Sequence, residues 1–262
     1  MFLEEILRVK REELAAAQQR LPFEELQQRV LARQPREARF ERALLASDTS
    51  PALIAELKRK SPSRGMLRER FDPVSLAQVL QEAGASALSV LTDEHFFGGS
   101  LEILRDVQQF TEIPILRKDF LIDIYQLYEA AFANVDAVLL IVRALGDEAL
   151  RQLLREARQL GLDALVEVHT ERELDRALLA EAALIGLNTR DLDTFKVHPE
   201  LTARLARRIP SGKTIVAESG IQTREDLLKL KELGVRAVLI GESLMTAPDV
   251  AAKVRELFTG VW

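Results

Sequence analysis

The chain has 262 residues, 47% of them hydrophobic, enough to bury a sizeable core as one large domain or two small ones. A formal net charge of −5 argues against a general nucleic-acid binder, and the absence of cysteine excludes disulfides, thiolate metal sites and a cysteine nucleophile together. No uninterrupted apolar stretch reaches the roughly 18 residues of a membrane span. The start, Met1-Phe2-Leu3-Glu4-Glu5, has neither the basic nor the apolar segment of a signal peptide, so a cytoplasmic protein is expected.

Residues 1 to about 20 carry Phe2, Leu3, Ile6, Leu7 and Leu14 at helical spacing among charges. The pattern predicts a second helix over Phe23–Ala32, entered at Pro22 and closed before Pro35. A third helix is predicted over Phe40–Leu45, followed by the polar turn cluster Ser47–Pro51. This first fifth of the chain has no strand pattern.

From Pro51 the texture changes. Short apolar runs at Ala52–Ala55, Ala87–Leu91, Ile113–Leu116, Ala137–Val142, Ala164–Val168, Leu184–Leu187, Thr214–Ala217 and Ala237–Ile240 alternate with longer amphipathic ones. Their Val, Ile and Leu content without strict alternation suits parallel strands covered on the outside by helices. Helices are predicted between them at Pro73–Ala83, Ser100–Phe110, Ile124–Ala133, Asp147–Leu160, Glu171–Ala180, Pro199–Arg208 and Arg224–Leu233, with Pro248–Phe258 after the last strand. Asp72-Pro73 and Ala247-Pro248 set proline in a first helical turn, and Thr223–Asp226 resembles a capping box. Gly84, Gly161 and Gly234 stand where helices stop.

Eight strand–helix units in about 210 residues fit an α/β chain folded as a closed (β/α)8 TIM barrel with an extra helical N-terminal segment. An open doubly wound sheet would want a Gly-rich turn after its first strand, and neither G-x-G-x-x-G nor G-x-x-x-x-G-K-[ST] occurs. The expected organisation is a helical extension, residues 1–50, packed on a catalytic barrel, residues 51–262, as one structural domain.

In such barrels catalysis belongs to the C-terminal ends of the strands. Read there, the strands end in turn with Glu56 and Lys58, Thr92, Lys118, Arg143, Glu167 and His169, Asn188, Glu218-Ser219-Gly220, and Gly241-Glu242-Ser243. Glu56 and Lys58 stand two residues apart and so share one face of a strand. Burying charge costs several kcal/mol unless it is paired, and Lys58 and Lys118 supply partners for Glu56, Glu167 and Glu218 within one pocket. Such a cluster pushes pKa values apart and yields an acid and a base at neutral pH. Gly220 and Gly241, in the turns after the last two strands, let backbone N–H groups approach an anion, as phosphate cradles require. Ser61, Lys58 and Arg64 add hydroxyl and cation from the first loop, which implies a phosphorylated small-molecule ligand. The three histidines, His95, His169 and His198, lie far apart without metal-ligand spacing, so no metal is expected.

These residues sit in motifs that resemble the indole-3-glycerol phosphate synthase family of tryptophan biosynthesis. The motifs are Glu56-Leu57-Lys58-Arg59-Lys60-Ser61-Pro62-Ser63, Ser89-Val90-Leu91-Thr92, Leu116-Arg117-Lys118-Asp119-Phe120, Val166-Glu167-Val168, Gly186–Leu192, Val216–Ile221 and Ile240–Met245, in the family's order. The first is the most specific; related phosphate-binding barrels share turns like Val216–Ile221. The N-terminal pattern Ile6, Lys10, Glu13, Leu14 also matches the family's extra helices.

The resemblance implies a cofactor-free lyase that closes, decarboxylates and dehydrates 1-(2-carboxyphenylamino)-1-deoxyribulose 5-phosphate to indole-3-glycerol phosphate. It implies Lys118 as the general acid at the ketose carbonyl and Glu167 as base or stabiliser of cationic charge. Lys58 would hold the substrate carboxylate and serve as an acid in dehydration, while Glu56, Asn188 and Glu218 orient these groups. Ser61, Gly220 and Gly241 would bind phosphate with Ser219 and Arg190 nearby, and Phe97 and Phe120 would line the anthranilate end. Glu242 departs from members that have Ser there; contributing its backbone N–H, it is expected to turn its carboxylate away from the phosphate. The expected partner is the small-molecule substrate alone, with neither nucleic acid nor membrane, and the chain is expected as a free-standing monomer or weak homodimer. The alternatives are another phosphate-binding barrel enzyme, such as phosphoribosylanthranilate isomerase, which would want a cysteine, or the tryptophan synthase α-like group, and a catalytically silent barrel serving as a binding or assembly partner, which would have lost rim acids or lysines.

Overall fold

The computed structural model describes residues 2–33, 37–191 and 194–261. Eight parallel strands close into a barrel in which each pairs with its neighbours in sequence and the last pairs with the first. They are β1 Ala52–Leu57, β2 Ala87–Leu91, β3 Ile115–Lys118, β4 Ala137–Ile141, β5 Asp163–Val168, β6 Leu184–Leu187, β7 Thr214–Ala217 and β8 Ala237–Ile240. Three helices precede them, α1 Phe2–Arg20, α2 Phe23–Leu31 and α3 Phe40–Leu45. Helices α4 Pro73–Glu82, α5 Leu101–Phe110, α6 Ile124–Phe132, α7 Asp147–Gln159, α8 Glu171–Leu179, α9 Glu200–Ala206 and α10 Arg224–Glu232 connect the strands. A short α11, Glu242–Met245, and the longer α12, Val250–Phe258, follow β8.

Strand parity divides the core in two. Leu53, Leu88, Val138, Val166, Ile185 and Val238 face outward onto the helices. Ile54, Ala87, Leu116, Leu139, Leu165, Leu184, Val216 and Leu239, of the opposite parity, fill the barrel. Both faces are therefore apolar, which is why the strands show continuous runs and not alternation.

The extension is joined to the barrel at several places. Phe40 and Leu44 of α3 are fully buried and belong to the interior cluster. Beside them, Arg39 pairs with Asp136 at 2.6 Å, and the Glu41 N–H donates to Asp163 at 3.0 Å; both aspartates lie at strand starts, opposite the catalytic rim. Leu26 of α2 packs with Tyr125 and Tyr128 of α6, and the Tyr125 hydroxyl lies 3.0 and 2.9 Å from the carbonyls of Ala17 and Leu21.

Most predicted punctuation holds. Thr223 and Asp226 form the capping box, and Gly84, Gly161 and Gly234 end helices at positive φ. Several boundaries move, as at the end of β1, which runs to Leu57, and at the end of α9, which stops at Ala206. Strand β3 starts at Ile115, because Pro114 has no N–H to give a ladder. Val142 leaves β4 and opens a short 3-10 turn through Ala144. Pro248 lies ahead of the last helix, whose N-cap is Asp249, its carboxylate accepting from the Ala252 N–H at 2.9 Å. The hairpin pairing Lys60–Ser61 with Gly65–Met66, and α11, are too short for periodicity to reveal. Pro35 and Leu192 lie outside the described residues.

Candidate active site

The parity that sends Ile54, Leu116, Leu165 and Val216 into the barrel also sends in the side chains two residues later: Glu56, Lys118, Glu167 and Glu218. Alternation continued past β1 and β6 adds Lys58 and Asn188. These six and Ser61, Phe97, Phe120, Arg190, Ser219, Gly220, Gly241 and Glu242 all line one cleft of about 1820 Å3 at the C-terminal ends of the strands. Every catalytic and substrate-binding candidate from the sequence thus lies on one cleft, whereas Thr92, Arg143 and His169, which the sequence also placed at strand ends, do not line it.

Charge is paired inside it. The Lys58 ammonium lies 2.5 Å from Glu56, and the Lys118 ammonium 3.0 Å from Glu167 and 3.5 Å from Glu218. Burial alone would favour neutral Lys118, but Glu167, Glu218 and Glu56 outweigh it and raise its pKa, so the ammonium persists. Burial also opposes ionised Glu167; Lys118 and then His169 reverse this and hold its pKa below the usual carboxylate range. Glu218 goes the other way: burial first, then the Glu167 charge, push its pKa well above the ordinary value. Apart from the Lys118 ammonium at 3.5 Å, which makes no hydrogen bond to it, neither Glu218 oxygen has a hydrogen-bond partner among the described residues. A proton shared between Glu218 and Glu167 would relieve the charge on this pair, the direction in which the raised Glu218 pKa points.

Two glycines make this geometry possible by close approach. A Cβ on Gly186 would collide with the Glu218 carboxylate, and one on Gly241 would collide with that of Glu56. Gly241 therefore makes room for an acid in the turn after β8.

At the far side, Ser61 is buried, with its hydroxyl 3.3 Å from that of Ser63 and accepting from the Arg64 N–H at 3.3 Å. The Asn188 side-chain oxygen accepts from the Ser219 hydroxyl at 2.8 Å and from the Arg190 N–H at 3.1 Å. Gly220 holds a φ of 81°, a conformation that suits glycine, in the turn after β7. The Glu242 carboxylate is paired on both oxygens, at 3.0 Å to Arg64 and 3.2 Å to Arg190. On the other flank the Phe97 and Phe120 rings stand 6.1 Å apart at 37°. The cleft has cationic and hydroxyl groups at one end, an aromatic wall at the other, and paired acids and bases between them.

A family model described as indole-3-glycerol phosphate synthase matches residues 3–257. The chain belongs to the indole-3-glycerol phosphate synthase family. Proteins of that name from Campylobacter hominis and Dehalococcoides mccartyi are 45% and 46% identical to it, each over 98% of this chain and 99% and 100% of their own lengths. The Caldanaerobacter subterraneus protein of the same name is 47% identical over 94% of this chain and 93% of its own. Among solved structures, 3-hexulose-6-phosphate synthase superposes with a TM-score of 0.65 at 14% identity, over 80% of this chain and 100% of its own. The tryptophan synthase α-subunit of Pyrococcus furiosus does so with 0.60 at 16%, over 80% and 98%. These two share the barrel.

Indole-3-glycerol phosphate synthase activity is a carboxy-lyase step of tryptophan biosynthesis: ring closure, decarboxylation and dehydration of 1-(2-carboxyphenylamino)-1-deoxyribulose 5-phosphate. The enzyme acts on a phosphorylated small molecule, and among the described residues no helix is long and apolar enough to cross a membrane. Sequence reasoning left Lys10, Asp93 and Asp119 out of the synthase site. All three are buried behind the aromatic wall, with Lys10 paired to both aspartates. Their one signal was the register of Lys10, which continues the apolar face of Leu3, Ile6 and Leu7 where a solvated lysine has no place.

Proposed function

We propose that the synthase reaction runs on proton transfers between the paired side chains of this cleft, and the 3.0 Å contact between Lys118 and Glu167 carries the reading. The ring carbon that bears the carboxylate attacks the ketose carbonyl carbon, and Lys118 protonates the carbonyl oxygen as the bond forms. The carboxylates that keep buried Lys118 charged also make it a poor acid toward water. An alkoxide developing beside it is basic enough to take the proton. Glu167 stabilises the cationic ring until carbon dioxide leaves and aromaticity returns.

Dehydration then needs a proton for the departing hydroxyl and a base for the adjacent methylene. Lys58 supplies the first, having held the substrate carboxylate until it was lost, and Glu167 serves as the second. Glu56 orients Lys58 through their 2.5 Å contact, and Glu218 orients Glu167 and Lys118. The oxygen of Asn188 is engaged by Ser219 and Arg190, which directs its amide nitrogen to the substrate hydroxyls. The Ser61 hydroxyl, the Arg190 guanidinium and the backbone N–H groups of Gly220, Gly241 and Glu242 bind phosphate, with Ser219 nearby. The Glu242 carboxylate stays with its two arginines at the rim. Phe97 and Phe120 hold the anthranilate ring and keep water from the reacting carbons.

We also propose that residues 1–50 and the barrel of residues 51–262 act as one structural domain, supported by the shared interior packing of Phe40 and Leu44. A monomer or weak homodimer suffices, since the assigned residues come from one chain. A cytoplasmic site of action follows from a substrate that carries both phosphate and carboxylate and does not cross a bilayer unaided. The test of the mechanism is to mix purified protein with the substrate and follow indole fluorescence, for the wild type and for Lys118→Ala. We expect turnover from the first and a loss of about 10³-fold or more from the second, in a protein that remains folded. Near wild-type activity in Lys118→Ala would remove it as the acid.

A further inference from the structure

The Lys10 side chain is 4% exposed, yet it comes from a helix outside the barrel. Its ammonium meets three carboxylates: Glu13 at 2.6 Å, Asp119 at 2.9 Å and Asp93 at 3.2 Å. The Glu13 contact is a hydrogen bond, while the Asp93 oxygen that faces Lys10 is held by charge alone, without a hydrogen bond among the described residues. Glu13 lies one turn along the same helix. The two aspartates lie on different loops, after β2 and after β3, and each is buried almost completely.

Each aspartate also holds the backbone of an aromatic residue in the cleft. Asp93 accepts from the N–H of Phe96 at 2.8 Å and of Phe97 at 3.2 Å. Asp119 accepts from the N–H of Phe120 at 2.8 Å. Its other oxygen takes the Thr92 hydroxyl at 2.6 Å and Arg117 at 3.3 Å. Asp119 directly follows Lys118, the last residue of β3, and its carboxylate turns to Lys10, Thr92 and Arg117. One ammonium therefore ties together the roots of both aromatic walls and the strand end that carries Lys118.

An anchor for α1 alone would need a single carboxylate on the barrel. Bridging two loops does more: without the cation, two buried carboxylates repel each other, and the loops that carry Phe97 and Phe120 lose the charge that draws them together. We propose that Lys10 is a positioning residue that sets the separation of Phe97 and Phe120, and with it the enzyme's hold on the aromatic end of its substrate. The proposal rests on the reading of those two rings as the anthranilate wall.

The experiment uses the full chain with Lys10→Met, which keeps the volume and removes the charge, and Lys10→Arg, which keeps the charge. Substrate KM, the inhibition constant of the product and the inhibition constant of inorganic phosphate are measured for each. Lys10→Met is expected to raise the KM and the product constant about 10-fold while the phosphate constant changes less than 2-fold, and Lys10→Arg to recover most of the loss. Unchanged KM in folded Lys10→Met, or equal losses for product and phosphate, would overturn the proposal, since general loosening does not discriminate between the ends of the cleft. Should Lys10→Met not fold, Asp93→Asn replaces it: that variant keeps the Lys10–Asp119 pair and releases the Phe97 loop, and the same selective loss is expected, its absence counting against the idea. Phe97→Ala and Phe120→Ala test the underlying reading separately: if neither raises KM, the anthranilate wall is misplaced whatever Lys10 does.

Discussion

Glu218 reaches to 3.5 Å from the Lys118 ammonium through space that Gly186, on the neighbouring strand, leaves open. Lys118 and His169 hold the pKa of Glu167 below the usual carboxylate range against burial, whereas burial and then the Glu167 charge outweigh the Lys118 contact and push the pKa of Glu218 well above its ordinary value.

Glu218→Gln is therefore expected to stabilise the protein increasingly as pH rises. The folded pKa of Glu218 is raised above an unfolded value of about 4.3. Its contribution to stability is complete below that value and is lost as pH rises toward the folded pKa, because the unfolded chain ionises first. Glutamine cannot ionise and escapes the loss. Thermal melts should show the variant close to wild type at pH 5 and higher in Tm by several °C at pH 8, at about 2–4 °C per kcal/mol. A constant difference between the two pH values would mean that Glu218 is ionised in the folded protein.

Glu167→Gln keeps the size of the side chain and removes its charge. A drop in kcat of about 10²–10⁴ with little change in KM is expected, since the group acts on charge that appears only during reaction. Steady-state fluorescence assays read both constants, and a pure KM effect would move Glu167 from chemistry to binding.

Gly241→Ala places a methyl group against the Glu56 carboxylate and backbone-proximal carbons, and Gly186→Ala does the same to Glu218. Neither strand can yield without shifting the barrel, so each variant should lose about 1–3 kcal/mol of stability. Because the displaced groups hold Lys58 and Lys118, kcat/KM should fall about 10²-fold. Urea unfolding together with kinetics checks this; full activity in either variant would show that the acids have room to move.

Glu242→Ser frees two cations, Arg64 and Arg190, at the phosphate end of the cleft. Inorganic phosphate should inhibit several-fold more strongly, with the gain shrinking as salt rises, since the groups are only partly buried. Weaker inhibition would show instead that Glu242 holds the two arginines in place for phosphate.

The barrel was legible because both sides of each strand are apolar and the helices between them carry caps and glycine stops. The polar lining of the cleft was legible because polar residues close nearly every strand, at Glu56, Lys118, Glu167, Asn188 and Glu218. The Lys10 cluster was not. Lys10, Asp93 and Asp119 are 83 and 26 residues apart along the chain, and nothing local relates them. The role of Gly241 was half legible: its turn position suggested a phosphate cradle, while its clearance for Glu56 depends on β1 and β8 being neighbours, which only closure of the barrel provides.

By itself, then, the sequence determined which residues could face the cleft, since strand parity is a local property carried by two-residue spacing from Ile54 to Glu56 and from Leu116 to Lys118. The tertiary structure decided which of them meet and in what protonation state. Whether Glu218 is neutral and Glu167 ionised depends on distances across the barrel and on burial from water, and electrostatic energies vary too steeply with both for any order of residues along a chain to express them.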